Sequence, residues 1–498
     1  MRDRSTSSKP LHGFFHRAFL NEKLDNWVGF LFVTIIATVF AFLLANNFLL
    51  GLGVFAVVAG ICVLVTCLLN PLAGLYLTML YGFSASAISR FLLKDQLPVG
   101  VVTDILVFTT FAGLFFSNKN LKKNTADFFG SRPVVWYTII VLYLTFELFN
   151  PLGHSFGGWS QVMRKVFESF LIVFIAYNVL DTIAKIKRFV AGLFALTFIT
   201  GLYGCFQQWH GLLPTEIGWV NADQLRYGLI AIWGEYRKFS LLGGPTEFGI
   251  IMAASSVFFM LIGINEKKLV NKIIYLGGSF IMILGMSYSG TRTANAMLAG
   301  GVVFFLLLTM NKKSSKIFAI VAALTFLFVL YAPIYGSATL NRFRSTFSAT
   351  EDASYNVREI NRQRVQPFIW SHPFGSGLST TGEMGFKYNP GNPNAGFPTD
   401  SSYLNKALES GWIGIILTLI LYFFMLQYTL RGYFMAKSRY FKMMFAACAA
   451  FFFCFFLGEV AQEAVGVFTN MVIYFPIFGL VLRLRQFCNE SSMPSSTN

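Results

Sequence analysis

The chain is predicted to be an all-α polytopic membrane protein, and three observations predict this class. Hydrophobic residues make up 55% of the 498 residues, charged residues make up 12%, and the mean hydropathy is +0.59. A soluble domain typically carries about 25% charged residues, so this chain has too few charges to cover a water-facing surface. Apolar runs of about 20 residues recur along the chain, which is the length that a helix needs to cross a bilayer. Lysine and arginine also cluster in alternate connections between these runs.

The apolar runs predict about 14 transmembrane helices, within a range of about 12–14. The predicted spans are 27–46, 48–69, 71–90, 99–117, 133–149, 163–180, 188–208, 242–264, 272–288, 291–309, 317–334, 402–429, 441–458 and 465–482. The third span is the weakest, because it is rich in Ser and Gly and ends at Arg90.

The charge pattern predicts the orientation of these helices. Basic residues concentrate in connections 117–132, 181–188, 265–272, 310–316 and 430–441. Such segments stay on the cytoplasmic side, so both termini are predicted to be cytoplasmic. The net charge of +16 therefore reflects topology and an attraction to anionic membrane lipid. It is no argument for a nucleic-acid partner.

This orientation divides the chain into segments, one of which is an unusually long polar loop. The segments are a cytoplasmic N-terminal tail (1–26), an N-terminal transmembrane bundle (27–208), a transmembrane region with two candidate phosphate-binding arginines (209–334), a long periplasmic loop (335–401), C-terminal transmembrane helices (402–482) and a cytoplasmic tail (483–498). Loops longer than their connection requires usually carry function. The functional residues are therefore expected in this loop or facing it.

Two arginines on the outer side are candidates for binding an anion. Arg292 sits in a tight hairpin between two spans, where an arginine is costly unless it snorkels, pairs with a carboxylate such as Glu247, or meets an anionic headgroup. Arg237 precedes the Gly-Gly-Pro element at 243–245, which allows an irregular helix start with exposed N–H groups. Arg237 is alternatively an interfacial anchor.

The polar loop carries the candidate acid–base groups. Asp400 is either the N-cap of the following helix or a general base at the membrane edge. His372 is the alternative titrating group, although the Ser-His-Pro-Phe-Gly stretch around it can also simply end a helix. Glu383 is a less specific third candidate, and Glu459 and Glu463 border another outer turn beyond the loop.

A helix is predicted near 354–370, stopped by the proline at 373. Arg358 and Arg362 share one of its faces at i,i+4 spacing. These two arginines are expected to contact glycan or phosphate, or to pair with acidic neighbours such as Glu359.

No motif for a cofactor or metal stands out in the sequence. There is no zinc or iron ligand spacing, Walker loop, dinucleotide fingerprint or nucleophile elbow. An enzyme built from this chain is therefore expected to need no cofactor and no metal. It would work by positioning its substrates and neutralising charge.

Several motifs, taken in order, resemble the bacterial O-antigen ligase and polymerase family, which includes exopolysaccharide polymerases. The motifs are Arg237 to Pro245, the Ser-x-x-Arg turn at 289–292, His-Pro-Phe-Gly-Ser-Gly at 372–377, Asp-Ser-Ser-Tyr-Leu at 400–404 and Glu-Ser-Gly-Trp-Ile-Gly at 409–414. Each motif alone is weak, but their order and spacing match over roughly 220–430. The N-terminal half matches in hydropathy alone.

The resemblance implies a membrane glycosyltransferase of the C-type superfamily in the bacterial inner membrane, with its active site on the periplasmic side. Such an enzyme takes a glycan from undecaprenyl diphosphate and transfers it to a glycan or lipid acceptor, in O-antigen or exopolysaccharide biosynthesis. By analogy Arg237 and Arg292 would hold the pyrophosphate. A chain-length regulator is an expected further partner. The ligases often carry a histidine where this chain has Asp400, which favours a polymerase over a lipopolysaccharide ligase.

Two other functions compete with this interpretation. A flippase or transporter for lipid-linked oligosaccharide also suits a chain with many spans. The absence of duplicated halves and the sparse charge within the spans, mainly Asp104 and Glu168, count against it. A peptidoglycan polymerase of the same superfamily is disfavoured, because its motifs do not appear.

Overall fold

The computed structural model describes residues 27–93, 100–117, 121–232, 234–311, 313–333, 344, 353–399 and 401–490. The predicted tail at 1–26 and the candidate base Asp400 lie outside the described residues. The side chain of Arg358 also lies outside them, although its backbone is described.

Almost all of the described chain is helical. The helices are α1 (Trp27–Asn46), α2 (Phe48–Leu69), α3 (Pro71–Ile88), α4 (Gly100–Ser117), α5 (Leu121–Phe129), α6 (Arg132–Phe146), α7 (Phe156–Val179), α8 (Ile183–His210), α9 (Pro214–Asn221), α10 (Gln224–Ile230), α11 (Pro245–Asn265), α12 (Leu269–Tyr288), α13 (Arg292–Thr309), α14 (Lys313–Tyr331), α15 (Ala353–Ser371), α16 (Gly382–Tyr388), α17 (Ser402–Glu409), α18 (Gly411–Met435), α19 (Arg439–Gly458) and α20 (Phe468–Glu490). A short antiparallel hairpin, β1 (Ala231–Ile232) and β2 (Glu235–Tyr236), follows α10.

The predicted fold class is confirmed. Each of the fourteen predicted spans overlaps one of these helices. In the described part of the chain, ten helices are long and apolar enough to cross a membrane. Their outer faces expose large apolar side chains, for example Phe116 at 78% and Leu142 at 54%. Contiguous exposed apolar surface of this kind suits contact with lipid.

The chain divides into two compact units, 1–66 and 67–498. In the described part of the first unit, α1 and the start of α2 expose apolar side chains such as Trp27 and Phe30. The second unit contains the remaining helices and the polar loop. Its core is formed by α11, α19 and α20, most of whose residues are buried.

Close packing of helices in this core depends on small residues. A Cβ added to Gly301 of α13 would lie 2.4 Å from the sulfur of Cys454 on α19. A Cβ on Gly458 would lie 2.9 Å from the sulfur of Met297 on α13. Membrane helices associate through such small-residue contacts, because burial away from water supplies little driving force between them. These contacts fix α13 against the end of α19.

The predicted span at 402–429 begins later than expected. The chain forms the short helix α17, breaks at Ser410, and enters the membrane as α18 from Gly411. Gly411 adopts a positive φ of 68°, which favours glycine. The carbonyl of Pro373 occupies this break and accepts a hydrogen bond from the N–H of Ile413 at 3.3 Å.

The helix predicted within the polar loop is present as α15. It ends at Ser371, close to the predicted stop. Val365 on this helix is buried at 5% exposure, whereas Ile360 is 64% exposed.

Candidate functional site

Arg237 and Arg292 are held beside one another by the backbone. Arg237 follows β2, and the next residue, Lys238, donates its N–H to the carbonyl of Tyr288 at 3.2 Å. Tyr288 is the last residue of α12, and Arg292 is the first residue of α13. We call the group formed by Arg237, Thr291 and Arg292 the arginine corner.

The guanidinium of Arg237 bridges the elements of this corner. Its Nε donates to the carbonyl of Ser289 at 2.8 Å, and its Nη2 donates to the Thr291 hydroxyl at 2.9 Å. Its Nη1 donates to the carbonyl of Leu229 at 3.2 Å. A guanidinium carries its N–H donors in a planar fork, so these bonds fix the orientation of the group, which is partly exposed.

Two helix N-termini meet at the arginine corner. Thr291, the N-cap of α13, donates its hydroxyl to the carbonyl of Pro245, the first residue of α11, at 3.0 Å. Neither N-cap residue, Gly244 or Thr291, makes a side-chain capping bond to its helix. The first N–H groups and the positive dipole ends of two long helices therefore lie near two arginines. This arrangement favours a bound anion.

A third arginine, Arg90, supports the corner from below and was missed in the sequence. Its guanidinium donates to the carbonyls of Ser240 at 3.2 Å and Leu242 at 2.5 Å. It lies 4.5 Å from the ring of Trp219 and 4.4 Å from that of Phe239, as cation–π contacts. Arg90 is 4% exposed. It therefore anchors the long connection between α8 and α11 and does not face substrate.

A cavity of about 290 Å³ opens between the membrane helices and the polar loop. We call it the loop-side cavity. Its polar lining comes from α6, α7, α17 and the turn before α20, and includes Tyr143, Gln161, Lys165, Asn405, Lys406, Glu409 and Glu463. Its apolar floor is formed by α18 and α20, with Leu421, Met425 and Phe475 among the residues. Polar groups above an apolar floor suit a ligand with a glycan and a lipid part.

A buried ion pair forms one wall of this cavity. Lys406 of α17 donates to the carboxylate oxygen Oε2 of Glu459 at 2.5 Å, and the Ser402 hydroxyl donates to the same atom at 2.6 Å. The other carboxylate oxygen accepts the N–H groups of Ala464 and Val465 at 2.9 and 2.7 Å. Glu459 has no exposed side-chain surface, and Lys406 has 32%. The pair fixes α17 to the turn that follows α19.

The pKa values of the two buried carboxyl groups Glu409 and Glu459 are shifted in opposite directions. Burial raises the pKa of the Glu459 carboxyl, but the Lys406 ammonium and the bonds from Ser402 and Val465 outweigh burial, so its pKa is lowered overall. Burial raises the pKa of the Glu409 carboxyl, and hydrogen bonds from Thr381 oppose it in part. Glu459 is therefore the ionised partner of Lys406, whereas the pKa of the Glu409 carboxyl is raised overall because burial outweighs these bonds.

The arginine corner and the loop-side cavity are connected through α13. Met297 lies about 7.5 Å of helix rise beyond Arg292 and packs beside Gly458 at the end of α19. The next residue, Glu459, accepts a hydrogen bond from Lys406, which lines the cavity. A chain of packed residues therefore links the corner to the cavity.

The His-Pro-Phe-Gly-Ser-Gly motif has a structural role. Ser376 and Gly377 donate their N–H groups to the carbonyls of Leu408 and Glu409 at 2.8 and 2.9 Å. Gly375 and Gly377 have positive φ angles of 69° and 91°. A Cβ on Gly375 would lie 2.5 Å from the nitrogen of Gly411. The glycines are needed because the loop backbone docks directly on the junction between α17 and α18.

His372 lies at the end of α15 and not in the loop-side cavity. Its ring stacks on Phe368 with centroids 4.0 Å apart, and its Nδ1 lies 2.9 Å from the Phe368 carbonyl. These contacts match its interpretation as a residue that ends a helix. Arg362 forms an exposed contact of 3.9 Å with Glu359, as one of the alternatives predicted.

Residues on both sides of Asp400 lie at the edge of the loop-side cavity. The Thr399 hydroxyl is 3.4 Å from Oδ1 of Asn405, which lines the cavity. Ser401 donates its hydroxyl to the carbonyl of Glu459 at 3.2 Å. Ser401 is the N-cap residue of α17 and makes no side-chain capping bond.

Sequence reasoning missed Lys406 as a partner of Glu459. The two are far apart in sequence, and Glu459 was noted merely as a residue near an outer turn. A signal was present: Ser402, Lys406 and Glu409 fall on one face of a short helix at i, i+4 and i+7 spacing. Several polar residues on one face at the membrane edge indicate a polar cavity.

Fold and site together define a multi-pass membrane protein with a polar, charge-lined site beneath a long loop. Residues 277–419 match the family described as O-antigen ligase. The match includes Arg292, α15 to α17 and the start of α18, and it supports membership of the O-antigen ligase family, as the sequence motifs predicted. No curated protein matches the chain. The family match supports a role in O-antigen or polysaccharide assembly and a glycosyl-transferring activity.

Proposed function

We propose that this protein polymerises or ligates glycan units carried on undecaprenyl diphosphate, at the periplasmic face of the inner membrane. The observation that carries the proposal is the arginine corner, where Arg237, Arg292 and the N-termini of α11 and α13 come together. A pyrophosphate linked to both a lipid and a glycan needs cationic donors near the membrane surface. It also needs a polar space for the sugar.

The reaction requires charge neutralisation at the leaving group. The acceptor hydroxyl oxygen bonds to the anomeric carbon, and the bond from that carbon to the diphosphate oxygen breaks with its electron pair. Negative charge therefore grows on the diphosphate, where Arg292, Arg237 and the N–H groups of α11 and α13 would stabilise it. The rate gain comes from groups that are already oriented before the bond breaks.

The acceptor proton needs a base, and we propose Asp400 for this role. Its described neighbours Thr399 and Ser401 make contacts with Asn405, which lines the cavity, and with the carbonyl of Glu459. His372 is a weaker candidate, because its Nδ1 is engaged by the helix end and its ring stacks on Phe368. The acceptor, a glycan or a lipid, would enter through the loop-side cavity.

The test uses purified protein and a synthetic undecaprenyl diphosphate-linked glycan. Arg292→Lys and Arg237→Lys keep the positive charge but remove the planar fork that binds phosphate through two bonds. Each should slow glycan transfer by about 100-fold, comparable to losing one donor to a developing charge. Wild-type rates in both variants would overturn the role of the corner.

A matched control comes from the same segment. Arg226 lies on α10, stacks 3.9 Å from the ring of Trp219 and donates to its carbonyl at 2.8 Å. Arg226→Lys makes the same chemical change away from the corner and should leave the transfer rate within about twofold of wild type. Thermal stability in detergent should be compared for all three variants, so that loss of rate is separated from loss of fold.

A further inference from the structure

A second charged cavity lies at the opposite end of the helix bundle. We call it the basic cavity. It has a volume of about 580 Å³ and is lined by Lys123, Asp127, Phe128, Gly130, Ser131, Arg132, Tyr177, Tyr428, Arg431, Leu482, Arg485, Gln486 and Asn489. Helix α6 starts here at Arg132, and its other end approaches the loop, where the Tyr143 hydroxyl donates to the Ser410 carbonyl. The 18 residues from Arg132 to Phe149 span about 27 Å, close to one membrane thickness.

The basic cavity carries a surplus of positive charge. Lys123, Arg132, Arg431 and Arg485 contribute four cations, and Asp127 is the acidic residue in the lining. Asp127 accepts a hydrogen bond from Nε2 of Gln486 at 3.2 Å. Among the residues that the structure describes, none of the four cations forms an ion pair.

One guanidinium nitrogen in the basic cavity is buried without a hydrogen-bond partner. Nη1 of Arg485 is such an atom, and the guanidinium lies 5.6 Å from the ring of Tyr428. A buried N–H without an acceptor costs about 1–3 kcal/mol, so this position calls for an acceptor from outside the chain. The N-terminus of α6 also faces the cavity, and its N-cap Ser131 makes no side-chain capping bond.

The surroundings of the basic cavity favour a ligand with an apolar part. Phe129, next to two lining residues, is 43% exposed, and Phe434, one turn beyond Arg431 on α18, is 70% exposed. A phosphate held by the arginines would therefore have apolar surface beside it for acyl chains. A soluble anion would make no use of this surface.

We propose that the basic cavity binds a phosphate-bearing anion, in the form of the headgroup of an anionic phospholipid. Arg485 and Arg431 would donate to the phosphate oxygens, and Lys123 and Arg132 would add charge at the rim. This site lies across the membrane from the arginine corner and holds a structural lipid between α6, α18 and α20. The proposal does not depend on the proposed glycosyl transfer, and its test measures binding alone.

The test compares thermal stability of the purified full-length protein in detergent with added lipid. Phosphatidylglycerol should raise the Tm of the wild type by several degrees, and phosphatidylcholine should not. Arg431→Gln combined with Arg485→Gln should weaken the phosphatidylglycerol effect by about 100-fold in lipid concentration, because each arginine removed weakens binding by about tenfold. Lys267→Gln combined with Lys437→Gln removes two exposed cations elsewhere and should leave the effect unchanged.

The outcomes separate the possible sources of the phosphate. A Tm shift with millimolar sodium phosphate that matches the lipid shift, and that is lost in the arginine variant, would support a phosphate site and overturn the lipid source. Equal phosphatidylglycerol shifts in the arginine variant and the control variant would overturn the site. Native mass spectrometry provides a second readout, because the arginine variant should retain less bound phosphatidylglycerol than the control even if its own Tm is lowered.

Discussion

At the scale of single residues, the charged side chains differ in the partners that hold them. Lys406 and Glu459 form an ion pair beside the loop-side cavity. Arg90 lies 3.6 Å from the carboxylate of Glu216, donates to carbonyls and contacts aromatic rings. Arg237 is oriented by protein acceptors and is partly exposed. In the proposed function, the arginine corner supplies the positive charge that meets the pyrophosphate.

The ion pair predicts a specific dependence of stability on pH. The folded-state pKa of Glu459 is lowered, so its contribution to stability is present above the ordinary glutamate pKa of about 4.3 and is lost as the pH falls through the lowered value. Glu459→Gln leaves Lys406 without its counter-ion. It should lower the free energy of unfolding by about 3 kcal/mol at neutral pH, with a smaller loss below about pH 4.

Glu409→Gln is the matched comparison for Glu459→Gln. The pKa of Glu409 is raised in the folded protein, so its ionised form costs stability above the ordinary pKa. Replacing it with a neutral amide should leave the Tm unchanged or raise it at neutral pH. Tm measured across the pH range in detergent checks both variants, and a larger loss for Glu409→Gln than for Glu459→Gln would contradict the assignment of charge.

The proposed base predicts a change in the pH profile. Asp400→Asn should lower the transfer rate by about 10²–10⁴-fold, because the acceptor proton loses its recipient. Asp400→His should restore part of the rate, and that rate should fall as the pH drops through the ordinary histidine pKa of about 6.5. Rates measured from pH 5 to 9 test this, and full activity of Asp400→Asn would exclude the role.

At the scale of elements, local patterns in the sequence predicted more than distant contacts did. Each apolar run coincides with helix in the described part of the chain, since hydrophobic length is a local property, and ten of these helices are long and apolar enough to cross a membrane. The polar sequence and the proline at 373 predicted α15. The break between α17 and α18 was not predicted, because it depends on the Pro373 carbonyl approaching Gly411 from a distant part of the chain. The docking of Arg90 on the connection before α11 was missed for the same reason.

The junction between α17 and α18 should be sensitive to a single methyl group. A Cβ on Gly411 would lie 2.0 Å from the Pro373 carbonyl, and its φ of 68° disfavours alanine. Gly411→Ala should therefore destabilise the protein by about 2–5 kcal/mol. Gly218 on α9 has no atom within 4 Å of its added Cβ, so Gly218→Ala should be neutral or stabilising by up to about 1 kcal/mol. Equal Tm values for the two variants would contradict the role of this contact.

At the scale of the whole molecule, the proposal requires the loop and the basic cavity to face opposite compartments. Gly391 lies in the polar loop with open space around it, and Lys437 lies exposed after α18. Both variants are made in a protein whose exposed Cys62 has been replaced. In cells whose outer membrane is permeabilised and whose inner membrane is intact, Gly391→Cys should react with a membrane-impermeant maleimide. Lys437→Cys should react after the inner membrane is opened. The reverse pattern would contradict a periplasmic site.

The most direct test of glycosyl transfer is to follow both products of the reaction in proteoliposomes. Purified protein is supplied with undecaprenyl diphosphate-linked glycan on both faces of the membrane together with an acceptor. A glycosyl-transferring protein should release one undecaprenyl diphosphate for each new glycosidic bond, and both products should be lost together in Arg292→Lys. Movement of intact lipid-linked glycan across the membrane, with no release of undecaprenyl diphosphate, would contradict it and indicate a transporter.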